Sequence, residues 1–186
     1  MIPLRRRDNP HALVVGMIGV KLGDRLLQVG CSHGGRLAAI AAKVGLSGRA
    51  VVVTPDAAAA ARAQKGASDQ GVLVEVESAA PTALPLEDAS IDVAILDDAE
   101  GLFANLSAGD RVTAGREILR VLRPGGRVMV VATAERQGLA ALLRGGARPA
   151  PFDPEPTLAA SGFAAVRRLA EREGLVFVEA LKPRTS

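Results

Sequence analysis

The chain has 186 residues and a mass of 19.1 kDa, the size of one ordinary globular domain. Hydrophobic residues make up 48% of it and charged residues 23%, so the composition is that of a folded protein and excludes a disordered one. One Cys and two His exclude an intramolecular disulfide framework and are too few for a structural zinc site. The net charge is only +3 and the basic residues are dispersed, which argues against a nucleic-acid partner.

The first 24 residues predict a helical segment that packs on the domain. Arg5, Arg6 and Arg7 precede an apolar run at residues 12–20, and together they imitate a signal peptide. The run is too short to cross a bilayer and no small-residue cleavage site follows it. Since the lone cysteine also favours a reducing compartment, we expect a cytoplasmic protein without a transmembrane segment. A contact of the arginine triplet with a membrane surface or with nucleic acid stays open.

The same apolar run indicates a contact with another chain. Val14, Val15, Met17, Ile18 and Val20 would place apolar side chains around much of the circumference of a helix. One face can pack on the domain, and the rest is expected to be buried by a protein partner, most simply by a second copy in a homodimer. The alternative is that the domain's own helices cover the run completely.

Short apolar runs then alternate with helical patterns along the rest of the chain. Strands are predicted at residues 25–29, 50–53, 72–76, 91–96, 127–132, 163–169 and 175–181. Helices are predicted at residues 37–44, 54–64, 107–122 and 135–144, with a short one that ends at Gly162. Unbroken Val, Ile and Leu runs separated by helices are typical of a parallel sheet covered on both faces. The sequence therefore predicts one α/β domain over residues 1–186, a doubly wound, mostly parallel seven-stranded sheet that ends in an antiparallel hairpin.

Four strings of residues resemble, in order, those of one family. They are RLLQVGC at residues 25–31, LPLEDASIDV at 84–93, REILRVLRPGG at 116–126 and SGF at 161–163. On these strings the chain resembles the class I S-adenosylmethionine (SAM)-dependent methyltransferases over about residues 12–183. The resemblance implies a Rossmann-like methyltransferase fold, SAM as the cofactor and a small molecule as the methyl acceptor.

The resemblance also implies which positions would line the cofactor site. These positions are Gln28, Gly30, Ser32, Gly34, Thr54 and Ala80. Family members carry carboxylates at the positions of Gln28, Thr54 and Ala80, where this chain has an amide, a hydroxyl and a methyl group. The middle glycine of the family's loop is a serine here and is followed by the bulkier His33, and an added side chain narrows a pocket that the backbone must approach closely. Gly34 and Gly35 can equally serve only to turn the chain into the next helix.

The missing carboxylates predict that SAM binding is weak or lost. A charge-assisted hydrogen bond contributes on the order of 1.5–3 kcal/mol, so losing two such anchors weakens binding by about 3 kcal/mol or more, which is over a hundredfold. Gln28 and Thr54 can still form neutral hydrogen bonds. Thr54 has a second interpretation, because Pro55 follows it and a threonine before a proline is a good N-cap for a helix. We expect capping to be its main role.

Acidic residues after the fourth strand are the candidates for catalysis. Asp97 and Asp98 follow its carboxyl end, with Glu100 nearby, and carboxylates at such a place can act as a general base or hold a divalent cation. The further ligands that a metal would need cannot be placed, so no metal site is predicted. The alternative, which we favour, is a solvated acidic turn that caps the next helix. His33 is either a second candidate base or a surface residue.

Two functions of different classes remain open at this point. The first is a methyltransferase with a degraded SAM site that acts on a small molecule. The second is a catalytically inactive methyltransferase-fold protein that acts as a binding or assembly partner, which the missing carboxylates favour. Whether the chain is an enzyme is therefore undecided. A dinucleotide-dependent oxidoreductase is a distant third, because the glycine pattern departs from the dinucleotide fingerprint.

Overall fold

The structure is a computed structural model that describes residues 10–134 and 153–184. The helix predicted at residues 135–144 lies outside the described residues. In chain order the elements are α1 (Ala12–Ile18), β1 (Arg25–Val29), α2 (Gly34–Val44), β2 (Arg49–Val53), α3 (Ala57–Gln70), β3 (Glu75–Glu77), β4 (Ile91–Asp98), α4 (Ala108–Val121), β5 (Leu122–Thr133), α5 (Pro154–Ala160), β6 (Ala164–Arg172) and β7 (Leu175–Leu181).

The strands form one seven-stranded sheet in the order β3-β2-β1-β4-β5-β7-β6. The first five are parallel to their neighbours, whereas β7 runs antiparallel between β5 and β6. The predicted α/β fold, a mostly parallel sheet with a terminal antiparallel hairpin, is confirmed. From β1 the chain moves outward to β3 and then returns to β4 on the other side of β1. The strand order thus reverses at β1, and in open α/β sheets ligands bind beside such a point, outside the carboxyl ends of the strands.

Helices cover both faces of the sheet, because neighbouring residues of each strand point to opposite sides. Leu27 of β1 packs in a buried cluster with Ile118 of α4 and Leu158 of α5. Leu26 belongs to a second buried cluster with Ile40 of α2 and the apolar residues of α1. The two clusters fix the strands from both sides and leave the loops at their carboxyl ends to form a site.

One face of helix α1 is covered by the chain's own core. Val14, Val15 and Ile18 are buried in the cluster on the α2 side of the sheet. The helix ends at Gly19, whose left-handed φ of 59° closes it earlier than the predicted end near Gly23. Met17 and Val20 are only partly buried against the same cluster, and a homodimer stays a prediction. Neither α1 nor any other helix in the described parts of the chain has the length and hydropathy to cross a membrane.

Several strand boundaries differ from those predicted, and the differences in the third and fifth strands have a clear structural cause. The third strand spans Glu75–Glu77 instead of residues 72–76. The reason is that α3 continues to Gln70, and the Val72 amide still donates to the Ala67 carbonyl (3.0 Å) in the turn that ends the helix. The fifth strand begins at Leu122, earlier than residue 127, because its first residue already pairs with β4 before a register shift.

Candidate functional site

A cleft of about 250 Å³ lies at the carboxyl ends of β1, β2 and β4, where the strand order reverses. Three chain segments form its wall: the loop after β1, the turn before α3 and the turn after β4. The residues that line it are Gly30, Cys31, Ser32, Thr54, Asp56, Ala59, Asp97, Glu100, Gly101, Leu102 and Asn105. Of the positions that the resemblance implied for the cofactor, the cleft wall includes three: Gly30, Ser32 and Thr54.

Gly30 lets the loop after β1 pass close to β4. Its φ of 81° is in the left-handed region, and a Cβ added there would lie 2.8 Å from the Asp97 carbonyl oxygen and 3.0 Å from the Leu102 side chain. The Gly30 amide donates to the Val53 carbonyl (2.9 Å), which ties the loop to the end of β2. Only glycine fits at this position because of the approach to β4, and a close approach of this loop to a ligand stays a prediction.

Asp97 is the centre of a buried polar network at one end of the cleft. Its carboxylate accepts hydrogen bonds from the Ser32 amide (2.9 Å) and from Ser32 Oγ (2.8 Å). Arg36 Nη2 donates to both carboxylate oxygens, at 2.9 and 3.0 Å, and also to Ser32 Oγ. The side chains of the ion pair are 11% and 2% exposed for Arg36 and Asp97 respectively. The predicted solvated acidic turn is therefore wrong for this residue, whose carboxylate is buried and paired.

Gln28 braces the glycine loop from the strand side. Its side chain is buried, and Nε2 donates to the Gly30 carbonyl (2.9 Å) and makes a longer contact of 3.5 Å with Asp97 Oδ2. It is not among the residues that line the cleft. At this position, where the family carries a carboxylate, the structure therefore has an amide that supports the loop from within.

Asp98 is buried as well, but it points away from the cleft. Its Oδ1 accepts hydrogen bonds from the amides of Phe103 (2.6 Å) and Ala104 (3.3 Å), which closes the turn after β4. Burial raises the pKa of Asp98 to about 6. The predicted solvated turn is wrong here too, although the carboxylate does cap backbone amides. As the Asp98 side chain does not line the cleft, the geometry gives it a structural position and leaves its catalytic role a prediction without support.

Two further implied cofactor positions, Gly34 and Ala80, lie outside the cleft wall, as Gln28 does. Gly34 is the first residue of α2, and a Cβ there would overlap the Arg62 carbonyl oxygen and lie 3.2 Å from Gly66 Cα. The glycine is needed for the close packing of α2 on α3. Ala80 is exposed, and its carbonyl accepts a hydrogen bond from the Ala83 amide (3.1 Å) in a turn after β3.

The turn before α3 corrects the prediction for Thr54. The N-cap of α3 is Asp56, whose Oδ1 accepts from the Ala58 amide (2.9 Å). Thr54 is buried and lies before the helix, and its Oγ1 accepts a hydrogen bond from the Asp56 amide (3.2 Å). The helix therefore starts two residues later than predicted. The consequence is a carboxylate in the cleft wall, displaced by two residues from the position where the family carries one.

Sequence reasoning missed the residues that complete the wall and its supports. Arg62 of α3 donates from Nε to the Cys31 carbonyl (3.0 Å) and pairs with Glu100, which links α3 to the turn after β4. Burial raises the pKa of the Cys31 thiol to about 11, which excludes it as a thiolate nucleophile at neutral pH. His33 caps α2, since Nδ1 accepts from the Arg36 amide (3.2 Å). The contacts of Arg62 join segments that are distant in the sequence, and no local pattern indicates them.

Potential metal ligands are not grouped in the part of the chain that the structure describes. Within residues 10–134 and 153–184, no three His, Cys, Asp or Glu side chains lie together as a metal ion would require. The cleft wall instead carries Asp56, Asp97 and Glu100 as its charged groups, with no Lys, Arg or His among its described lining residues. Arg36 and Arg62 neutralise Asp97 and Glu100, so Asp56 is left as the carboxylate of the described wall that would favour a cationic ligand over an anionic one.

A family model described as a methyltransferase domain matches residues 26–126, more than half of the chain. The chain belongs to the class I methyltransferase family. This methyltransferase domain is also 32% identical to an uncharacterized protein of Mycobacterium tuberculosis over 119 residues, which are 64% of this chain and 40% of that protein. The chain thus spans about two fifths of the length of the curated relatives it matches.

Solved structures share the fold of the methyltransferase domain. A SAM-dependent methyltransferase from Aquifex aeolicus gives a TM-score of 0.72 at 20% identity, covering 93% of this chain and 89% of that one. The methyltransferase SibL in its apo form gives 0.70 at 22% identity, covering 94% and 55%. The [4+2]-cyclase SpnF gives 0.67 at 20% identity, covering 94% and 80%. At such identities the likeness shows the fold alone, and one of these proteins is named for a cyclase reaction.

Proposed function

We propose that this methyltransferase domain binds SAM weakly, mainly through the nucleoside, and methylates a small molecule. The observation that carries the proposal is Asp56, a carboxylate in the wall of the cleft at the point where the strand order reverses. Only its Oδ1 has a hydrogen-bond donor among the residues that the structure describes. The second oxygen is available to accept from a ribose hydroxyl, which is the role of the carboxylate missing at Thr54.

The residues present fit the nucleoside half of the cofactor. Gly30 carries no side chain that would keep a ligand from the backbone, and Thr54 and Asp56 supply polar groups to the same cleft. The volume of about 250 Å³ falls just below the range of about 300–1,000 Å³ that is usual for small-molecule sites. A small cleft with a single available ribose carboxylate supports weak binding.

SAM supplies an electrophilic methyl group bound to a cationic sulfur. Asp97 and Glu100 are neutralised by ion pairs with Arg36 and Arg62, so Asp56 is the carboxylate of the wall whose charge favours a sulfonium. The contribution of the chain is to hold the nucleoside on Gly30 and Asp56 and so position the methyl group toward an acceptor. A small molecule as the acceptor is supported by the family membership and by the scale of the cleft.

A second candidate function is a domain that transfers no methyl group and acts as a binding or assembly partner. The observation that favours it is the state of Asp97, whose carboxylate is already taken by Arg36 and Ser32. In addition, the family's three carboxylate positions are Gln28, Thr54 and Ala80 here. The two candidates differ in whether a nucleoside binds at all.

Calorimetric titration of Asp56→Asn with SAM and S-adenosylhomocysteine tests the proposal. Asparagine caps a helix as well as aspartate does, so α3 is expected to keep its start while the cleft loses one charge. We expect dissociation constants in the high micromolar to millimolar range for the unchanged domain and an affinity about tenfold lower for the variant.

Asp69→Asn is the matched control, because Asp69 is exposed on the same helix and pairs only with Lys65. It is expected to bind like the unchanged domain. Binding that Asp56→Asn leaves unaltered would remove Asp56 from the site. A titration without heat at millimolar ligand, backed by an unshifted melting temperature, would favour the second candidate, because a ligand of the native state must raise its apparent stability.

A further inference from the structure

We infer that Arg36 occupies the place of a ligand's ammonium group on Asp97, so that the cleft favours adenine nucleosides without an amino-acid tail over SAM. The inference rests on the proposed binding of the nucleoside in this cleft and goes beyond it. Arg36 would be the residue that makes SAM binding weak, and nucleosides without an amino-acid tail would not be affected by it. Arg36 is then a residue that determines specificity by competing with the ligand.

The contacts of Asp97 leave no position for a further donor. Oδ1 accepts from Ser32 Oγ and from Arg36 Nη2. Oδ2 accepts from the Ser32 amide, from Arg36 Nη2 and, at a longer distance, from Gln28 Nε2. A carboxylate offers about four lone-pair positions. An ammonium group can therefore reach Asp97 only if the guanidinium leaves.

Burial makes this exchange unfavourable. The Asp97 side chain is 2% exposed and that of Arg36 is 11% exposed, so both charges would need a new partner once separated. Arg36 is also tethered in the first turn of α2, and its own amide is held by the His33 cap. A competitor on the same chain acts at a high effective concentration, which a free ligand must exceed.

The two halves of SAM are affected differently. The nucleoside faces the wall of Gly30, Thr54 and Asp56, which the ion pair does not obstruct. The amino-acid tail carries an ammonium group, for which Asp97 is the buried carboxylate at the Ser32 end of the cleft. A nucleoside such as 5′-methylthioadenosine, which lacks that tail, needs nothing from Asp97. Its affinity is then independent of Arg36.

The test compares SAM, S-adenosylhomocysteine and 5′-methylthioadenosine by calorimetry on the full chain and on Arg36→Met. Methionine keeps an unbranched apolar side chain and removes the guanidinium. We expect the affinity for the two tailed ligands to rise about tenfold relative to that for 5′-methylthioadenosine, since the Asp97 carboxylate gains a charge-assisted partner only from them. Arg49→Met, which breaks the exposed Arg49–Glu75 pair away from the cleft, is expected to leave the ratio unchanged.

Each other result overturns the inference. If the affinity for the tailed ligands relative to that for 5′-methylthioadenosine is unchanged, Arg36 does not compete with the ammonium group. If this relative affinity falls, Arg36 binds the carboxylate of the amino-acid tail. If Arg36→Met does not fold, Asp97→Asn decides: we expect SAM affinity within about twofold of the unchanged domain, whereas a tenfold loss would show that Asp97 already binds the ligand. Failure of the proposed function is distinguishable, because then 5′-methylthioadenosine binds no variant, including the unchanged chain.

Discussion

Replacing Gly66 by alanine is expected to lower the free energy of unfolding by about 2–4 kcal/mol. Gly66 of α3 lies against the first residue of α2, and an added Cβ would overlap the carbonyl group of Gly34 and lie 2.6 Å from its Cα. The atoms that would have to move are backbone, so the strain cannot be relieved by turning a side chain. Urea denaturation measures the effect as a lower midpoint.

Gly109→Ala is the matched control in another helix. A Cβ at this position of α4 would have only Ser107 Oγ within 4 Å, at 3.9 Å. Alanine is a better helix former than glycine by about 0.8–1.0 kcal/mol, so the midpoint is expected to rise. If both glycine replacements moved the midpoint in the same direction, the close contact of α2 and α3 would not be what requires Gly66.

Asp98→Asn is expected to remove a pH dependence from the stability. Burial raises the pKa of Asp98 to about 6, above its ordinary value of 3.8, so the folded state holds this proton more tightly than the unfolded one. The stability gained from the proton is fully present below pH 3.8 and is lost as the pH rises through 6. Asparagine cannot lose a proton, and its oxygen still accepts from the amides of Phe103 and Ala104.

The variant should therefore gain stability relative to the unchanged domain between pH 4 and pH 7, by on the order of 2 kcal/mol. Urea midpoints measured at several pH values check this. Asp92→Asn is the control, for which the pH dependence has the opposite sign. Burial raises the pKa of Asp92, but hydrogen bonds from Arg25 and Arg123 outweigh it and bring this pKa down to about 2. Its contribution is present above pH 3.8 and lost toward pH 2. An Asp98→Asn variant equally destabilised at every pH would contradict the prediction.

The fold was predictable because its strands are continuous apolar runs. Runs such as residues 50–53 and 127–132 are buried on both faces, and their composition reflects that burial directly. Boundaries were less predictable where a turn decided them. The N-cap of α3 is Asp56 and not Thr54, since the cap is set by the geometry of the whole turn and not by the first polar residue.

The candidate site was predictable only in part. The resemblance pointed to the loop after β1, and Gly30 and Ser32 do line the cleft. The resemblance did not reveal the ion pair between Arg36 and Asp97, because the two residues are 61 positions apart and meet only when β1 and β4 pair. For the same reason Gly34 was assigned to the cofactor, although the partner that requires it is a backbone segment of α3.

The contact between Gly34 and Gly66 has a mechanical consequence for the cleft. Because backbone rests on backbone at this point, the start of α2, which lies directly behind the loop after β1, cannot yield here by the repacking of a side chain. The opposite wall is a short turn after β4, fastened by the Asp98 carboxylate to two amides. Any ligand larger than the present cleft must therefore be accommodated by that turn. The loop after β1 is thus the rigid side of the cleft, and the turn after β4 is the side that can move. Protonation of Asp98 would act on that turn.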